Sequence, residues 1–434
     1  MIKKRERFTM QEKNSTVQEL LDFIDHAPSP YHVVAQAKER LETAGFERIS
    51  EKNSWELERG KSYYVTRQGS AIIAFRIPRK PWKGFHLAAS HSDSPAFKIK
   101  ANPEMLQGKL YTKLNVERYG GMILSTWFDR PLSVAGKVYL EEDGQIVKKL
   151  VNFDRDLLVI PSLAIHMNKE ANNGMKFSVQ KDLCPLLSTT ADQQAFQKLL
   201  EQEAEADADR ILGYDLNLYT RQPGTLIGVD EDLILSPRLD DQECAFASLK
   251  AIIESEPDDY VSLCAIFDNE EVGSMSPQGA DSDFLRDTVK RVVYSLGGSE
   301  TSYMETMANS FMISADNAHA VHPNSPEKAD PTNQPAMNAG IVIKYSAAQK
   351  YTTSAYTGSV MKQLCRQADV PCQIFHNHSD SMGGGTLGKY SATHMSVATV
   401  DIGLAQLAMH SAVETAGSRD IEYMVKVMKY FYGM

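Results

Sequence analysis

The apolar run Val261 to Phe267 closes on Asn269-Glu270-Glu271-Val272, and a strand candidate ending in two adjacent carboxylates constrains this chain more than any other segment. Neighbouring Glu residues in such a place divide the labour: one holds a metal ion while the other moves a proton. From Ser236 onward helix and strand candidates alternate, at Ala245 to Ser255, Val261 to Phe267, Phe311 to Asp316, Ile341 to Tyr345, Thr352 to Ala368, Gln373 to Phe375 and Ser396 to Asp401. That alternation argues for a doubly wound α/β sheet, which gathers ligands at its strand ends.

The 434 residues, 42% of them apolar, exceed what one core absorbs and predict two domains. Near the start, Ser15 to Gln18 is a capping-box pattern opening a helix with Leu20, Leu21, Phe23 and Ile24 on its apolar side, and a second helix is expected from Tyr31 to Ala44 after Pro30. Short β-branched and aromatic runs at Ser62 to Thr66, Ala71 to Arg76 and Phe85 to Ser90 read as strands. Between Lys98 and Asp232 the texture changes to Gly-punctuated strand candidates: Lys109 to Val116, Met122 to Trp127, Gly136 to Leu140 and Leu157 to Met167. Residues 98–232 are therefore expected to form an inserted β-rich domain, and residues 1–97 with 233–434 a discontinuous one. The acidic, Ala-rich and Gln-rich stretch Thr190 to Ile211 reads as a solvated helix inside the insert.

Lys and Arg number 46 against 56 Asp and Glu, a net charge of −10, and no basic stripe would track phosphates, so nucleic acid is not an expected partner. The five cysteines (Cys184, Cys244, Cys264, Cys365, Cys372) are odd in number, scattered and never in a C-x-x-C pattern. They indicate neither a disulfide framework nor a thiolate zinc knuckle, and a reducing cytoplasm fits them best. No apolar stretch of signal-peptide length follows the basic Met1 to Arg7, and no later run is long enough to span a bilayer, which disfavours export and membrane insertion.

Four further segments can complete a metal site: His91-Ser92-Asp93, Arg238-Leu239-Asp240-Asp241, Ser314-Ala315-Asp316-Asn317 and Leu407-Ala408-Met409-His410. In the first, residues two apart on an extended segment point the same way, and Asp93 beside a ligand histidine fixes its tautomer. Taken alone, H-x-D is also the pattern of an ordinary hydrogen bond, and Ser236-Pro237-Arg238 that of a plain turn capped by Asp240. Their convergence changes the balance: His91, Asp240, Glu271, Asp316 and His410 all fall at or near element ends of the α/β portion, with Asp240 suited to bridging two cations. Imidazole mixed with carboxylate suits zinc, cobalt or manganese better than calcium. The expectation is a two-metal hydrolase.

Longer blocks carry a resemblance. Phe267-Asp268-Asn269-Glu270-Glu271-Val272-Gly273-Ser274, Ser314 to Asn324 and Gln406-Leu407-Ala408-Met409-His410-Ser411 resemble the aspartyl aminopeptidase (M18) family of metallopeptidases, and the similarity spans nearly the whole chain. The resemblance implies that His91 and Asp316 hold one ion, that Glu271 and His410 hold the other, that Asp240 bridges them and that Glu270 is the general base. It further implies substrate contacts from His166, His319, Lys344 and Tyr351, cleavage of N-terminal residues with acidic ones preferred, an insert that dimerises, and dimers assembled into a tetrahedral dodecamer in which His166 reaches a partner's site. Broad specificity, or a related dinuclear deacylase or carboxypeptidase, is the alternative, and from another class a metal-stabilised assembly protein, against which an intact Glu270 argues. The Gly-rich Ser381 to Gly388 has Met382-Gly383 where many members carry Pro-Cys, and it lacks the lysine of a phosphate-binding P-loop.

Overall fold

The computed structural model describes residues 10–381 and 383–434. Its centre is a nine-stranded sheet in the order Glu47–Arg48, Ser62–Arg67, Ala71–Arg76, Tyr260–Phe267, Gly84–His91, Phe311–Ala315, Ala398–Gly403, Ile341–Lys344 and Cys372–Phe375. The four strands from Tyr260–Phe267 through Ala398–Gly403 run parallel, and the strand that adjoins this block on each side, Ala71–Arg76 and Ile341–Lys344, is antiparallel to it. Helices cover both faces, so strand side chains alternate between two apolar cores instead of between core and water. Cys264 and Ile266 join the core built with Phe23, Phe246, Met361 and Met424, while Leu263, Ala265 and Phe267 join that of Phe284, Val292 and Met307. This is the doubly wound α/β architecture expected.

Two more sheets complete the fold. A six-stranded antiparallel sheet, ordered Gln145–Asn152, Leu132–Glu142, Ile211–Thr220, Ala96–Gln107, Tyr111–Tyr119 and Leu186–Ser188, has its own core of Phe97, Val134, Phe196 and Leu216, and is called the antiparallel unit below. A five-stranded sheet of Thr225–Ile227, Leu233–Ser236, Glu414–Gly417, Ala405–Leu407 and Ala318–His319 lies against the ends of the parallel strands. Nothing in the local patterning foretells this sheet, because its strands are short and come from three stretches of the chain far apart in sequence.

Several local expectations fail for tertiary reasons. The first helix is Met10–Asp25, so Ser15 lies within it; good helix formers upstream carry it past the capping pattern. Met122 to Trp127 is a 3-10 turn over Leu124–Trp127, because the Ile123 N–H donates to His410 O (2.9 Å) and Thr126 Oγ1 accepts from the Ala412 N–H (2.9 Å) instead of a neighbouring strand. Leu157 to Met167 makes only isolated bridges at Leu158 and Val159 before turning, and its Leu163, Ile165 and Met167 stay exposed. Of Thr190 to Ile211, only Ala195–Ala204 is α-helical, the part whose Phe196, Leu200 and Ala204 have a core to enter.

Gly403 ends one parallel strand where a Cβ would stand 2.1 Å from the Asp316 carbonyl oxygen, a backbone atom that cannot step aside. Gly403→Ala is expected to destabilise the protein by about 1–3 kcal/mol, the usual scale of an overpacked site. Gly213→Ala, which meets open space, should leave stability unchanged. Denaturant unfolding of both variants beside the parent checks the contrast; equal midpoints for all three would refute it.

Candidate metal centre

Adjacent parallel strands end side by side, and their last residues meet. His91 closes Gly84–His91, Glu270 and Glu271 follow Tyr260–Phe267, and Asp316 follows Phe311–Ala315. The small sheet contributes the rest: Leu233–Ser236 runs into Asp240, and Ala405–Leu407 into His410. Left-handed backbone at Arg238 (φ +56°), Asn269 (+63°) and His410 (+67°) turns each segment sharply at the centre.

The side chains form two groups whose ligand atoms lie within 4.8 Å of one another: His91, Asp240, Asp241 and Asp316 in one, and Asp240, Glu271 and His410 in the other. Asp240 belongs to both. Its Oδ1 is 3.6 Å from His91 Nε2 and its Oδ2 3.5 Å from His410 Nε2, which in turn is 3.3 Å from Glu271 Oε1. Each imidazole is oriented through its other nitrogen, His91 Nδ1 to the Asp93 carbonyl (3.0 Å) and His410 Nδ1 to the Gly121 carbonyl (2.6 Å). With Nδ1 donating, Nε2 is left as the lone-pair nitrogen aimed into the centre.

Two buried carboxylates brace the backbone behind these groups. Asp93 Oδ1 accepts the Glu270 N–H (3.1 Å), while Oδ2 accepts the Glu271 N–H (3.1 Å) and the Tyr119 hydroxyl (2.6 Å). Glu414 does the same on the other side, taking the Asp240 N–H on Oε2 (3.0 Å) and the His410 N–H on Oε1 (2.7 Å). Sequence reasoning singled out Asp93 but passed over Glu414 and Asp241. Asp241 stood beside Asp240 in the segment already chosen, and its Oδ2 accepts the His91 backbone N–H (3.1 Å). Glu414 carries no local signal at all.

The electrostatics call for cations. Burial pushes Glu271 up to about 7, opposed by His410, and pushes Glu270 up to about 8 with Asp316 and Glu271 adding to it and His91 opposing. His410 shifts the other way: burial would lower it, but the contacts with Asp240 and Glu271 push it up to about 12. Burial likewise opposes the charged form of His91, yet Asp241, Asp240 and Asp93 raise it well above its ordinary value. Asp240 Oδ1 and Asp241 Oδ1 are buried without a hydrogen-bond partner among the described residues. A set of imidazole nitrogens and orphaned carboxylate oxygens fits divalent zinc-type ions.

Around the centre, Lys344 is 2% exposed and donates from Nζ to the carbonyls of Asp316 (2.6 Å) and Asn317 (3.2 Å), 3.7 Å from Asp316 Oδ2 and 5.2 Å from the Tyr351 ring centroid. Burial would lower the lysine, but Asp316 and its other neighbours raise it, so it stays charged. His319 and Phe375 line a cavity of about 280 Å³ beside the centre, and His319 is open to solvent there. His166 stands on an exposed turn of the antiparallel unit and belongs to neither ligand group. Asp401, which sequence reasoning did not mark as a site residue, ties two cleft loops together: Oδ2 accepts from Thr352 N–H and Oγ1 (2.5 Å each) and Oδ1 from Thr386 Oγ1 (2.6 Å). Met382, which departs from the resembled pattern, lies outside the described residues.

Comparison with known proteins identifies the family of the chain. A family model described as Aminopeptidase I zinc metalloprotease (M18) matches residues 23–432. Proteins named "Probable M18 family aminopeptidase 2" from Clostridium acetobutylicum and Clostridium novyi are 44% and 43% identical, each over 98% of this chain and 100% of the relative. Among solved structures, a chain of the Ape4 and Nbr1 complex superposes with a TM-score of 0.94 at 36% identity, covering 99% of this chain and 87% of that one. Yeast aminopeptidase 1 (Ape1) gives a TM-score of 0.86 at 27% identity over 97% of both chains. The chain belongs to the M18 family of metal-dependent aminopeptidases, hydrolases that act on peptides.

Proposed function

We propose that this aminopeptidase uses two divalent ions, zinc in the first place and cobalt or manganese as substitutes, with His91 and Asp316 on one, Glu271 and His410 on the other, and Asp240 between them. The observation that carries the reading is that Asp240 belongs to both ligand groups, one carboxylate oxygen facing each histidine. Bound there, the ions would polarise the scissile carbonyl and make the attacking water acidic. Glu270 follows ligand Glu271 directly and has its backbone fixed by Asp93, so its free carboxylate takes the proton from water and returns it to the leaving amine. Asp241, with one oxygen on the His91 backbone, orients that ligand.

For the substrate we assign His319, Lys344 and Tyr351 to the cleft wall, with acidic N-terminal side chains preferred. Two of the Lys344 N–H groups are held by carbonyls, and the third is the one we assign to a substrate carboxylate, a contact that a neutral side chain leaves unmade. His166 we assign to the site of a neighbouring subunit: the exposed Leu163, Ile165 and Met167 that flank it offer apolar surface for a subunit contact. A dimer through the residue 98–232 insert, repeated in a tetrahedral dodecamer, accords with the mApe1 dodecamer, whose chain superposes with a TM-score of 0.85 at 27% identity. The five free cysteines fit a cytoplasmic setting, and no described helix is long and apolar enough to cross a membrane.

Glu270→Gln should keep bound metal and assembly while losing ~10²–10⁴-fold in kcat. Turnover close to the parent, with metal content verified, would remove Glu270 from the role of base. Lys344→Met should narrow the rate ratio between Asp or Glu and Leu aminoacyl substrates; an unchanged ratio favours broad specificity set elsewhere. His166→Phe and Glu270→Gln assemblies should each be nearly inactive, yet in a mixed two-fold dimer the subunit with Glu270 receives His166 from its neighbour, so about half the sites recover. Co-expression with mass analysis of the mixed species decides this, and no recovery in verified mixed dimers would place His166 within its own site or in none.

A further inference from the structure

We propose that the cavity beside the candidate centre is a second carboxylate subsite, which takes the acidic side chain of the residue that follows the cleaved bond. The proposal rests on the aminopeptidase reading above and adds a substrate class to it. Three segments bound the cavity of about 280 Å³: Ala405–Leu407 with Ala408, two residues before His410; the loop from His319 to Pro335; and the chain from Phe375 to Ser381. Pockets that enclose a whole small ligand run to roughly 300–1,000 Å³, so a space of this size suits one or two side chains. Lys344 and Tyr351 do not line it. Phe375 does, and its ring centroid is 6.2 Å from those of both His319 and Tyr351, which makes it a shared wall between this cavity and the pocket of Lys344.

The lining is that of an anion host. In a chain of net charge −10, no Asp or Glu is among the described residues that line the cavity, whereas Lys328, His322, His376 and His378 are. Local backbone sets the tautomer of two imidazoles: His322 Nδ1 accepts the Asn324 N–H and His378 Nδ1 the Asp380 N–H, both at 3.2 Å. A ring whose Nδ1 accepts carries its proton on Nε2, so each offers an N–H donor without having to be charged. His376 is held by stacking on Tyr345, with centroids 5.5 Å apart and planes at 10°. Among the described residues the Lys328 ammonium has neither an ion pair nor a hydrogen bond. Asp330, two residues on, commits Oδ1 to its own loop, accepting from the Thr332 N–H (3.0 Å), the Asn333 N–H (2.9 Å) and Asn333 Nδ2 (2.7 Å). Asp380 Oδ2 is 4.0 Å from His378 Nδ1 on a side chain open to water. The walls are tied together, Ala329 to Asn377 by an isolated antiparallel bridge and Ala336 to the Gln373 side chain by N–H to Oε1 (2.8 Å) and Nε2 to O (2.9 Å). His322, His376 and His378 belong to neither ligand group of the metal centre.

An aminopeptidase has a single residue on the N-terminal side of the bond it cuts. With the side chain of that residue assigned to Lys344, any further substrate group in the cleft belongs to the departing peptide. A cavity that begins two residues from a proposed metal ligand is within reach of that peptide's first residue. A carboxylate there meets an ammonium and fixed N–H donors, a neutral isostere leaves the charge-assisted bonds unmade, and a lysine side chain brings like charge to Lys328. The free C-terminal carboxylate of a dipeptide has the same chemistry as an acidic side chain, so the two sources are measured apart.

The test compares kcat/KM of the metal-loaded native assembly on Asp-Glu-Ala-amide, Asp-Gln-Ala-amide and Asp-Lys-Ala-amide, with Asp-Ala and Asp-Ala-amide reporting the terminal carboxylate. Glu in second place is expected to exceed Gln by about tenfold, the scale of one charge-assisted hydrogen bond, and Lys to fall below Gln. Lys328→Met and His322→Phe, both changes at exposed side chains, should each bring the Glu-to-Gln ratio toward one. A ratio near one in the parent, or one that survives both substitutions, overturns the subsite while metal-dependent cleavage of all the peptides leaves the aminopeptidase reading standing. A preference for Asp-Ala over its amide without a Glu-to-Gln ratio also overturns it, since the cavity then reads a chain terminus. No metal-dependent cleavage of any peptide overturns the reading beneath it as well.

Discussion

The wholly buried carboxylate of Asp93 accepts the backbone N–H groups of Glu270 and Glu271 and the Tyr119 hydroxyl, and lies 3.3 Å from His91 Nδ1. It thereby fixes together the ends of two parallel strands and one strand of the antiparallel unit. Burial alone would push this acid toward its neutral form, but His91, Tyr119 and the Glu271 N–H hold it below its ordinary value. A neutral Asp93 would surrender acceptor capacity just where several buried donors depend on it. The position of Glu270 relative to Glu271 and His91 rests on this one ionised group.

The same device recurs around the cleft. Glu414 fastens the chain at Asp240 and His410, Asp401 joins the loops of Thr352 and Thr386, and Asp420 accepts from Gly340 N–H (2.8 Å) and Asn338 N–H (2.5 Å). Short acceptors reaching irregular backbone give these loops the hydrogen bonds that regular structure cannot. The cost is concentrated negative charge in a low-dielectric interior, visible in Glu414, which burial and the nearby Asp240 carboxylate raise well above its ordinary value. Cations at the candidate centre offset that cost, so the metal requirement and the rigidity of the cleft share a physical origin.

Much of this was legible in the sequence because strand ends advertise themselves. Val261 to Phe267 reads as a strand from its apolar run, and Glu270 with Glu271 stands out because charge follows at once. His91 and Asp316 are legible for the same reason. Glu414 was not, since its partners lie 174 residues upstream and four residues back, and only the five-stranded sheet brings them together. Met122 to Trp127 misled through composition: apolar and aromatic side chains suit a strand, but here they enter a core from a 3-10 turn whose backbone is bonded to a loop near residue 410. In Leu157 to Met167 only the first part packs, through Leu158 and Ile160, while Leu163, Ile165 and Met167 are exposed on this chain, so strand propensity had no packing to carry it past the isolated bridges.

The bond from His410 Nδ1 to the Gly121 carbonyl crosses from the small sheet to the loop following Tyr111–Tyr119. The protonation pattern of a proposed ligand is therefore written by a peptide group that belongs to another folding unit. A chain pruned of the antiparallel unit would keep all of its ligand side chains, yet His410 would be free to rotate and to present either nitrogen. Minimal versions of this enzyme, cut down to the doubly wound domain, would thus inherit the right atoms without the instruction that aims them.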